Sequence, residues 1–193
     1  MADKIQSIDL IHNGKFLNFY TFNLESGRKY EVISRQSIDM KNINNLTADA
    51  VDIVAFNKDF SKVLVIKEWR TPVNDYIYAF PAGLCEKEEG YFNTAARELF
   101  EETGLQITYA YDILSPAYQS AGMTNETVAT VICTASGKLS NKNSTQDEDI
   151  IPMWITKEEA QEILKKDKLS GRCQMVLYLW TKDLFSKIPY SSY

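Results

Sequence analysis

The feature that most constrains this chain is a cluster of three glutamates near the end of a predicted helix within residues 83–105. Glu98, Glu101 and Glu102 fall at i, i+3 and i+4, so their Cβ atoms on a helix are roughly 5–6 Å apart. Like charges at this spacing repel each other, and acidic groups near a helix C-terminus also oppose the helix dipole. Local rules broken without visible compensation indicate a functional site. A divalent cation would turn this repulsion into attraction.

The overall charge and the cysteines limit the kind of protein and its partners. The 193 residues carry a net charge of −5, which argues against a nucleic-acid backbone as the main partner. Phosphate-bearing substrates remain compatible, because a bound metal ion can supply positive charge. Cys85, Cys133 and Cys173 match neither a disulfide framework nor a metal cluster, which favours a reducing compartment. Since the sequence shows neither a signal peptide nor an apolar run of membrane-spanning length, we expect a soluble, cytoplasmic protein without membrane contacts.

Strand patterns dominate the chain and come mostly in hairpins. One hairpin is predicted over residues 15–35 with its turn at ESGR, and a second over residues 49–70 with its turn at NKDFSK. The run VLVI in the second hairpin is continuously apolar, which indicates burial on both faces. Further strands are predicted at residues 76–80, 107–115, 127–139 and 150–155. Pro152 favours an edge position for the last of these strands.

Helices are predicted singly, one in the middle of the chain and two at its end. The first begins within residues 91–93, with Asn93 as one candidate N-cap, and Gly104 is placed for a left-handed C-cap. The others cover residues 156–166 and 173–185. Single helices among hairpins predict an α+β fold, an α/β/α sandwich, rather than a Rossmann repeat.

The segment around the glutamate cluster resembles the Nudix box. That box reads G, five residues, E, seven residues, then R-E-U-x-E-E-x-G-U, where U is aliphatic. Every fixed position is filled here, by Gly83, Glu89, Arg97, Glu98, Leu99, Glu101, Glu102, Gly104 and Leu105. At the first position of the box, Gly83 is expected to supply a backbone conformation closed to other residues. The resemblance implies the Nudix fold, with a mixed sheet and an N-terminal β-hairpin extension.

The resemblance also implies a chemistry, the hydrolysis of nucleoside diphosphates linked to another group. It implies a Mg²⁺ or Mn²⁺ cofactor held by Glu98, Glu101, Glu102 and the backbone carbonyl of Ala82. Mg²⁺ prefers hard oxygen ligands, so carboxylates suit it. Arg97 resembles the family's orienting arginine and, with Glu101, belongs to the catalytic group that the resemblance implies. An ordinary i,i+4 salt bridge between these two is the competing role, and the two roles can coexist.

Segments outside the box resemble the ADP-ribose pyrophosphatases of this family. The likeness lies in VLVIKEWR followed by YAFPAG, in SPAYQSAGMTNE, and in DEDIIPMWITKEEA. It implies that Arg35 and Arg70 contact substrate phosphate or the terminal ribose, and that Trp69 flanks the adenine. Spacing alone favours simpler roles, with Arg35 as a solvated cation at a strand end and Trp69 and Arg70 as packing residues. Ala79 stands where the subgroup usually has a glutamate, so a contact made by that group is absent.

The same likeness places the general base on the acidic loop that ends in DED, just before the strand IIPMWI. Glu148 is our choice, with Asp147 and Asp149 as neighbours that can substitute for it. A loop carboxylate suits this role because the helix carboxylates are engaged by metal. The reaction implied is ADP-ribose plus water giving AMP and ribose 5-phosphate.

The subgroup also implies a homodimer. We expect residues 1–45 to form an N-terminal β extension that contributes to this dimer, and residues 46–193 to form the hydrolase domain.

Two alternatives to an ADP-sugar substrate stay open. One is a Nudix hydrolase acting on a dinucleoside polyphosphate, NADH or a damaged nucleotide. The other is a nucleotide-sensing Nudix domain without catalysis, which is disfavoured because no metal glutamate of the box is missing.

Overall fold

The structure, a computed structural model, describes residues 2–44, 46–141 and 149–184. Its elements, in chain order, are β1 (Ile5–Asn13), β2 (Asn18–Leu24), β3 (Lys29–Ser34), β4 (Ala50–Phe56), β5 (Val63–Arg70), β6 (Asp75–Ala79), β7 (Ala82–Leu84), α1 (Tyr91–Thr103), β8 (Leu105–Tyr118), β9 (Thr127–Gly137), β10 (Ile150–Ile155), α2 (Lys157–Lys166) and α3 (Gly171–Thr181). The predicted α+β class is confirmed. None of the helices among these residues is long and apolar enough to cross a bilayer.

Two compact units divide the described residues. The first combines residues from 1–50 with 115–129, and the second combines 51–114 with residues from 130–193. The domain boundary predicted after residue 45 stays a prediction.

A three-stranded sheet in the order β1-β2-β3 forms the first unit's main element. The predicted hairpin is confirmed as β2 and β3, and its core side chains are Tyr20, Phe22, Leu24, Val32 and Ile38. Strand β1 was not predicted. Its pairing with β2 is interrupted by two register shifts, and its burial does not alternate, so the sequence lacks a period-2 signal.

A seven-stranded sheet runs in the order β10-β5-β4-β9-β8, with β6 added to β5 and β7 to β4. The buried run Val63–Ile66 lies in its interior, as predicted, and β10 with Pro152 lies at its edge. Against β4 and β5 pack α2 and α3, with Phe56, Leu177 and Trp180 among the buried contacts. This core fixes the strand ends that carry the candidate site.

The ends of α1 differ in how well they were predicted. Gly104 ends the helix in the left-handed region, at φ 72°, as expected. The N-cap assigned to Asn93 is wrong, because Gly90 is the cap and Asn93 is already the third helical residue. Strand β8 also continues to Tyr118, through Pro116, beyond the predicted strand end at residue 115. The last helix begins two residues early because the Ser170 hydroxyl accepts a hydrogen bond from the Cys173 amide.

The three cysteines form no disulfide. Burial raises the pKa of the Cys133 thiol to about 12 and that of Cys173 to about 12, whereas Cys85 is half-buried. We expect a thiol reagent at pH 8 to label Cys85 first and the other two at least about a hundredfold more slowly, because a buried thiol is both inaccessible and protonated. Mass spectrometry of the labelled peptides measures this. The variant Cys85→Ser is the control; fast labelling of Cys133 or Cys173 in it would contradict the described core.

Candidate active site

Backbone hydrogen bonds hold the segment that precedes α1 against the sheet. The Ile53 amide donates to the Pro81 carbonyl at 2.9 Å, and β7 pairs with β4. Helix α1 packs on β7. The glutamate face of the helix is therefore fixed over the short strand that begins at Ala82.

Gly83 is required for close approach and not for its backbone angles. Its φ does not lie in the left-handed region, so the conformational reason given for this glycine is wrong. A Cβ at this position would lie 1.8 Å from Cδ of Glu98. The absent side chain thus makes the space that the Glu98 carboxylate fills.

Glu102 lies at the other end of the same short strand. It is only 5% exposed, and its Oε2 accepts a hydrogen bond from the Ala82 amide at 3.2 Å. Burying a carboxylate costs free energy unless an opposite charge or hydrogen bonds compensate for the lost hydration. Two of the predicted metal ligands, Ala82 and Glu102, are brought together in this way.

Arg97 connects the remaining acidic groups. Its guanidinium pairs with Glu89 at 2.9 Å, with Glu98 at 2.7 Å and with Glu101 at 3.3 Å. Hydrogen bonds to Glu89 and Glu98 raise the pKa of Arg97, and the hydrogen bond from Arg97 lowers the pKa of Glu89 to about 2. Both groups are therefore ionised throughout the physiological range. The i,i+4 salt bridge with Glu101, the alternative role, is present.

Glu89 ties the loop to the helix. Its carboxylate accepts from the Thr94 hydroxyl at 2.9 Å and from the Glu86 amide at 3.2 Å, besides Arg97. These bonds fix the Glu89 carboxylate between the loop and the helix.

A divalent cation fits the chemistry of this cluster. The donors are hard oxygen atoms, Gly83 lets the Glu98 carboxylate approach the backbone, and one guanidinium, that of Arg97, pairs with three carboxylates. As the side chains lie, no three acidic, histidine or cysteine groups among the described residues meet at metal-binding distances. Arg97 pairs with Glu98 and Glu101, so a cation would compete with the guanidinium for these two carboxylates.

Trp69 and Arg70 lie at the end of β5. The Trp69 ring packs edge-on against Tyr76 with centroids 5.4 Å apart, and remains 41% exposed. Arg70 pairs with Glu68 at 2.9 Å. Packing thus accounts for one face of the indole and leaves a substantial part of it accessible.

The loop that carries the predicted base is described only at its end. Asp147 and Glu148 lie outside the described residues. Asp149 is engaged twice, since its carboxylate accepts from the Tyr76 hydroxyl and its carbonyl accepts from the Trp69 amide at 3.1 Å. The hydrogen bond from Tyr76 occupies one oxygen of the Asp149 carboxylate, which disfavours Asp149 as the base.

Arg35 lies in the first unit. Its Nε donates to Glu126 at 2.5 Å, so it is an ion-paired group rather than a solvated cation. Glu126 belongs to the TNE segment of the resemblance, so within the first unit Arg35 is paired with a residue of that segment.

A cavity in the second unit was missed by sequence reasoning. Its volume is about 250 Å³, and its polar lining includes Asp52, Glu68, Arg70 and Arg172 beside Ala82. The available signal was Asp52, a lone acid inside the apolar strand AVDIVAF. Its partner Arg172 could not be found, because 120 residues separate the two.

Comparison with known proteins supports the same family. The family model described as the NUDIX domain matches residues 46–175. An ADP-ribose pyrophosphatase of Bacillus subtilis (strain 168) is 26% identical over 190 residues, which is 95% of either chain. An ADP-sugar pyrophosphatase of Mus musculus is 30% identical over 139 residues, which is 69% of this chain and 62% of that protein.

A solved structure of an ADP compounds hydrolase superposes on the fold. Its TM-score is 0.71 at 14% identity, and the match covers 99% of this chain and 98% of that chain. At this identity the likeness shows the fold alone. The resemblance expected from the glutamate cluster is confirmed: the chain belongs to the Nudix family of pyrophosphohydrolases, whose members generally use divalent metal cations.

Proposed function

We propose that this protein hydrolyses the pyrophosphate bond of ADP-ribose or a related ADP-sugar, giving AMP and a sugar phosphate, with Mg²⁺ or Mn²⁺ as cofactor. The observation that carries the proposal is the placement of Glu98 and Glu102 around the Ala82–Gly83 backbone. The names of the Bacillus and mouse relatives support the ADP-sugar class.

The proposed cofactor site consists of Glu98, Glu101, Glu102 and the Ala82 carbonyl. When bound, the cation neutralises the pyrophosphate and acidifies an attacking water. Arg97 holds the Glu98 and Glu101 carboxylates in place through its ion pairs. Catalysis thus depends on a helix face that is fixed before substrate arrives.

Recognition of the two halves of the substrate is assigned to three side chains. Trp69, with its exposed ring area, flanks the adenine. Arg70 and Arg35 contact phosphate or the terminal ribose, for which a forked guanidinium is suited. Because Ala79 removes a glutamate contact of the subgroup, we expect the preferred sugar to differ among relatives.

The proposed base is the carboxylate of Glu148, which accepts the proton of the attacking water. Glu148→Gln should lower kcat by about 10²–10⁴-fold, the usual contribution of a general base, with little change in metal affinity. Steady-state kinetics and a metal titration measure the two quantities. Asp149→Asn is the matched control; if Asp147→Asn produces the large loss instead, the base lies one residue earlier.

The proposed dimer and location extend the same likeness. We propose a homodimer to which residues of the N-terminal sheet contribute; β1 leaves Leu10 and Ile11 more than half exposed, at 53% and 56%. Analytical ultracentrifugation tests the dimer, and a monomer at micromolar concentration would contradict it. A cytoplasmic location stays a prediction.

Hydrolysis of a substrate panel tests the proposed function. With Mg²⁺, we expect the highest kcat/KM for ADP-ribose or ADP-glucose, and lower values for NADH and diadenosine polyphosphates. ADP-ribose among the poorest substrates would reject the ADP-sugar assignment while leaving the Nudix family unaffected. Tight nucleotide binding without turnover on any substrate would favour the sensor alternative.

A further inference from the structure

The cavity of about 250 Å³ is bordered by two guanidinium groups, each held by a carboxylate. We name it the β4–α3 cavity, after the elements that carry Asp52 and Arg172. It lies entirely within the second unit.

The Asp52–Arg172 pair is bidentate. Nη2 of Arg172 donates to Oδ1 of Asp52 at 3.0 Å, and Nε is paired with Oδ2. Asp52 is 3% exposed, whereas the Arg172 side chain is 41% exposed. A guanidinium has five N–H donors, so this pairing leaves about three for another molecule.

The second pair has the same arrangement. Glu68 is 8% exposed and holds Arg70, whose side chain is 54% exposed. In both pairs the acid is buried and the guanidinium reaches toward solvent. Each buried acid thus restricts the geometry in which its arginine meets a ligand.

The charges around the β4–α3 cavity select the kind of ligand. Asp52 and Glu68 balance Arg172 and Arg70, so the four groups sum to zero. A further phosphate would meet two carboxylates as well as two cations, whereas a polyhydroxyl group finds both acceptors and donors. The cavity is also smaller than the roughly 300–1,000 Å³ of sites for whole drug-sized ligands, so it suits one sugar and not a nucleotide.

The walls and the position of the cavity agree with a sugar. Ile77 and Phe80 give it apolar surface for the face of a sugar ring, and Ala82, a proposed metal ligand, also borders it. A group bound there lies beside the site proposed for the pyrophosphate.

We propose that the β4–α3 cavity binds the distal sugar of the substrate and that Arg172, held by Asp52, is a specificity-determining residue. This inference rests on the proposed function, which it deepens by assigning the sugar end. A purely structural role for the pair, joining α3 to β4, predicts altered stability without altered sugar preference.

The test uses two probes that share the ADP half, ADP-ribose and the β-methyl ester of ADP. The enzyme variants are Arg172→Gln, Arg172→Lys and the double variant Asp52→Asn with Arg172→Gln. Arg172→Gln alone leaves a buried Asp52 without its cation, which can destabilise the fold. The double variant removes both charges, so we expect it to fold even in that case. Lys168→Gln is the matched control. Lys168 lies in the segment just before α3, forms an exposed ion pair with Asp75, and does not line the cavity.

Two ratios between the probes are measured. The ratio of affinities comes from calorimetry with Ca²⁺ in place of Mg²⁺, and the ratio of kcat/KM values comes from kinetics with Mg²⁺. We expect the wild type and Lys168→Gln to prefer ADP-ribose, and the double variant to lose about tenfold to a hundredfold of that preference, the range for hydrogen bonds to a charged group. Arg172→Lys should restore only part of it, since a lysine lacks the fork.

The outcomes separate this inference from the proposed function. An unchanged preference in the double variant, with ADP-ribose still hydrolysed, overturns the sugar site and leaves the function standing. A different result would separate them the other way. If the wild type binds ADP-ribose without hydrolysing it, and the double variant loses the preference for ADP-ribose in binding, the sugar site is supported and the proposed function is overturned.

Discussion

Replacing Glu102 by glutamine should lower kcat by about a hundredfold to a thousandfold, because several kcal/mol of charge stabilisation by the cation are lost with a ligand. The fold should survive, since a glutamine oxygen can still accept the hydrogen bond from the Ala82 amide. Glutamine keeps the shape of the side chain and removes only its charge. Activity and thermal unfolding of the purified variant measure the two effects.

The control for this substitution is Glu162→Gln. Glu162 is also a helical glutamate with cationic neighbours, pairing with Lys165 and Lys166, and its side chain is 54% exposed. Exposed pairs contribute little to stability, and this one lies on α2, away from the Nudix box. We expect the activity of the Glu162→Gln variant to equal that of the wild type. Near wild-type activity in Glu102→Gln would instead remove the proposed metal site.

Replacing Gly83 by alanine should lower kcat/KM by about a hundredfold. The new Cβ would lie 1.8 Å from Cδ of Glu98, so the carboxylate must move. Displacement of a catalytic group by about 1 Å can cost on the order of 10²-fold in rate. Because the displaced atoms are the end of a flexible side chain, the melting temperature should change by only a few degrees. The requirement for metal should rise, which a Mg²⁺ titration of activity measures.

Gly90→Ala is the matched control. Gly90 has φ −76°, which any residue adopts, and a Cβ there meets nothing within 4 Å. The same change of residue therefore leaves the Glu98 carboxylate in place, and activity should be retained. Equal losses in the two variants would show that the Gly83 effect does not act through Glu98.

Local patterns made much of the fold predictable. Both hairpins, the edge position of Pro152 and the left-handed cap at Gly104 follow from turn chemistry and from the conformations these residues allow. The Nudix box was equally readable, since all its fixed positions lie within 23 consecutive residues. Such features need no knowledge of distant contacts.

What the sequence could not supply depends on distant parts of the chain. Arg35 and Glu126 are 91 residues apart, and Arg172 and Asp52 are 120 residues apart. No periodicity or motif links such pairs, so the β4–α3 cavity could not be assembled from the sequence, although the lone acid Asp52 was a signal for part of it. Gly83 shows a subtler limit: its place in the box was evident, but its reason is a neighbouring carboxylate and not its own backbone.

The proposed activity is hydrolysis of the pyrophosphate bond of an ADP-sugar at the glutamate cluster. Its most direct test is the reaction of ADP-ribose with the wild-type protein and Mg²⁺ in ¹⁸O-labelled water, analysed by mass spectrometry. We expect AMP and ribose 5-phosphate with one ¹⁸O in a product phosphate, no reaction in EDTA, and turnover lower by about a hundredfold to a thousandfold with Glu102→Gln. Cleavage elsewhere in the molecule, or equal turnover in EDTA, would contradict it.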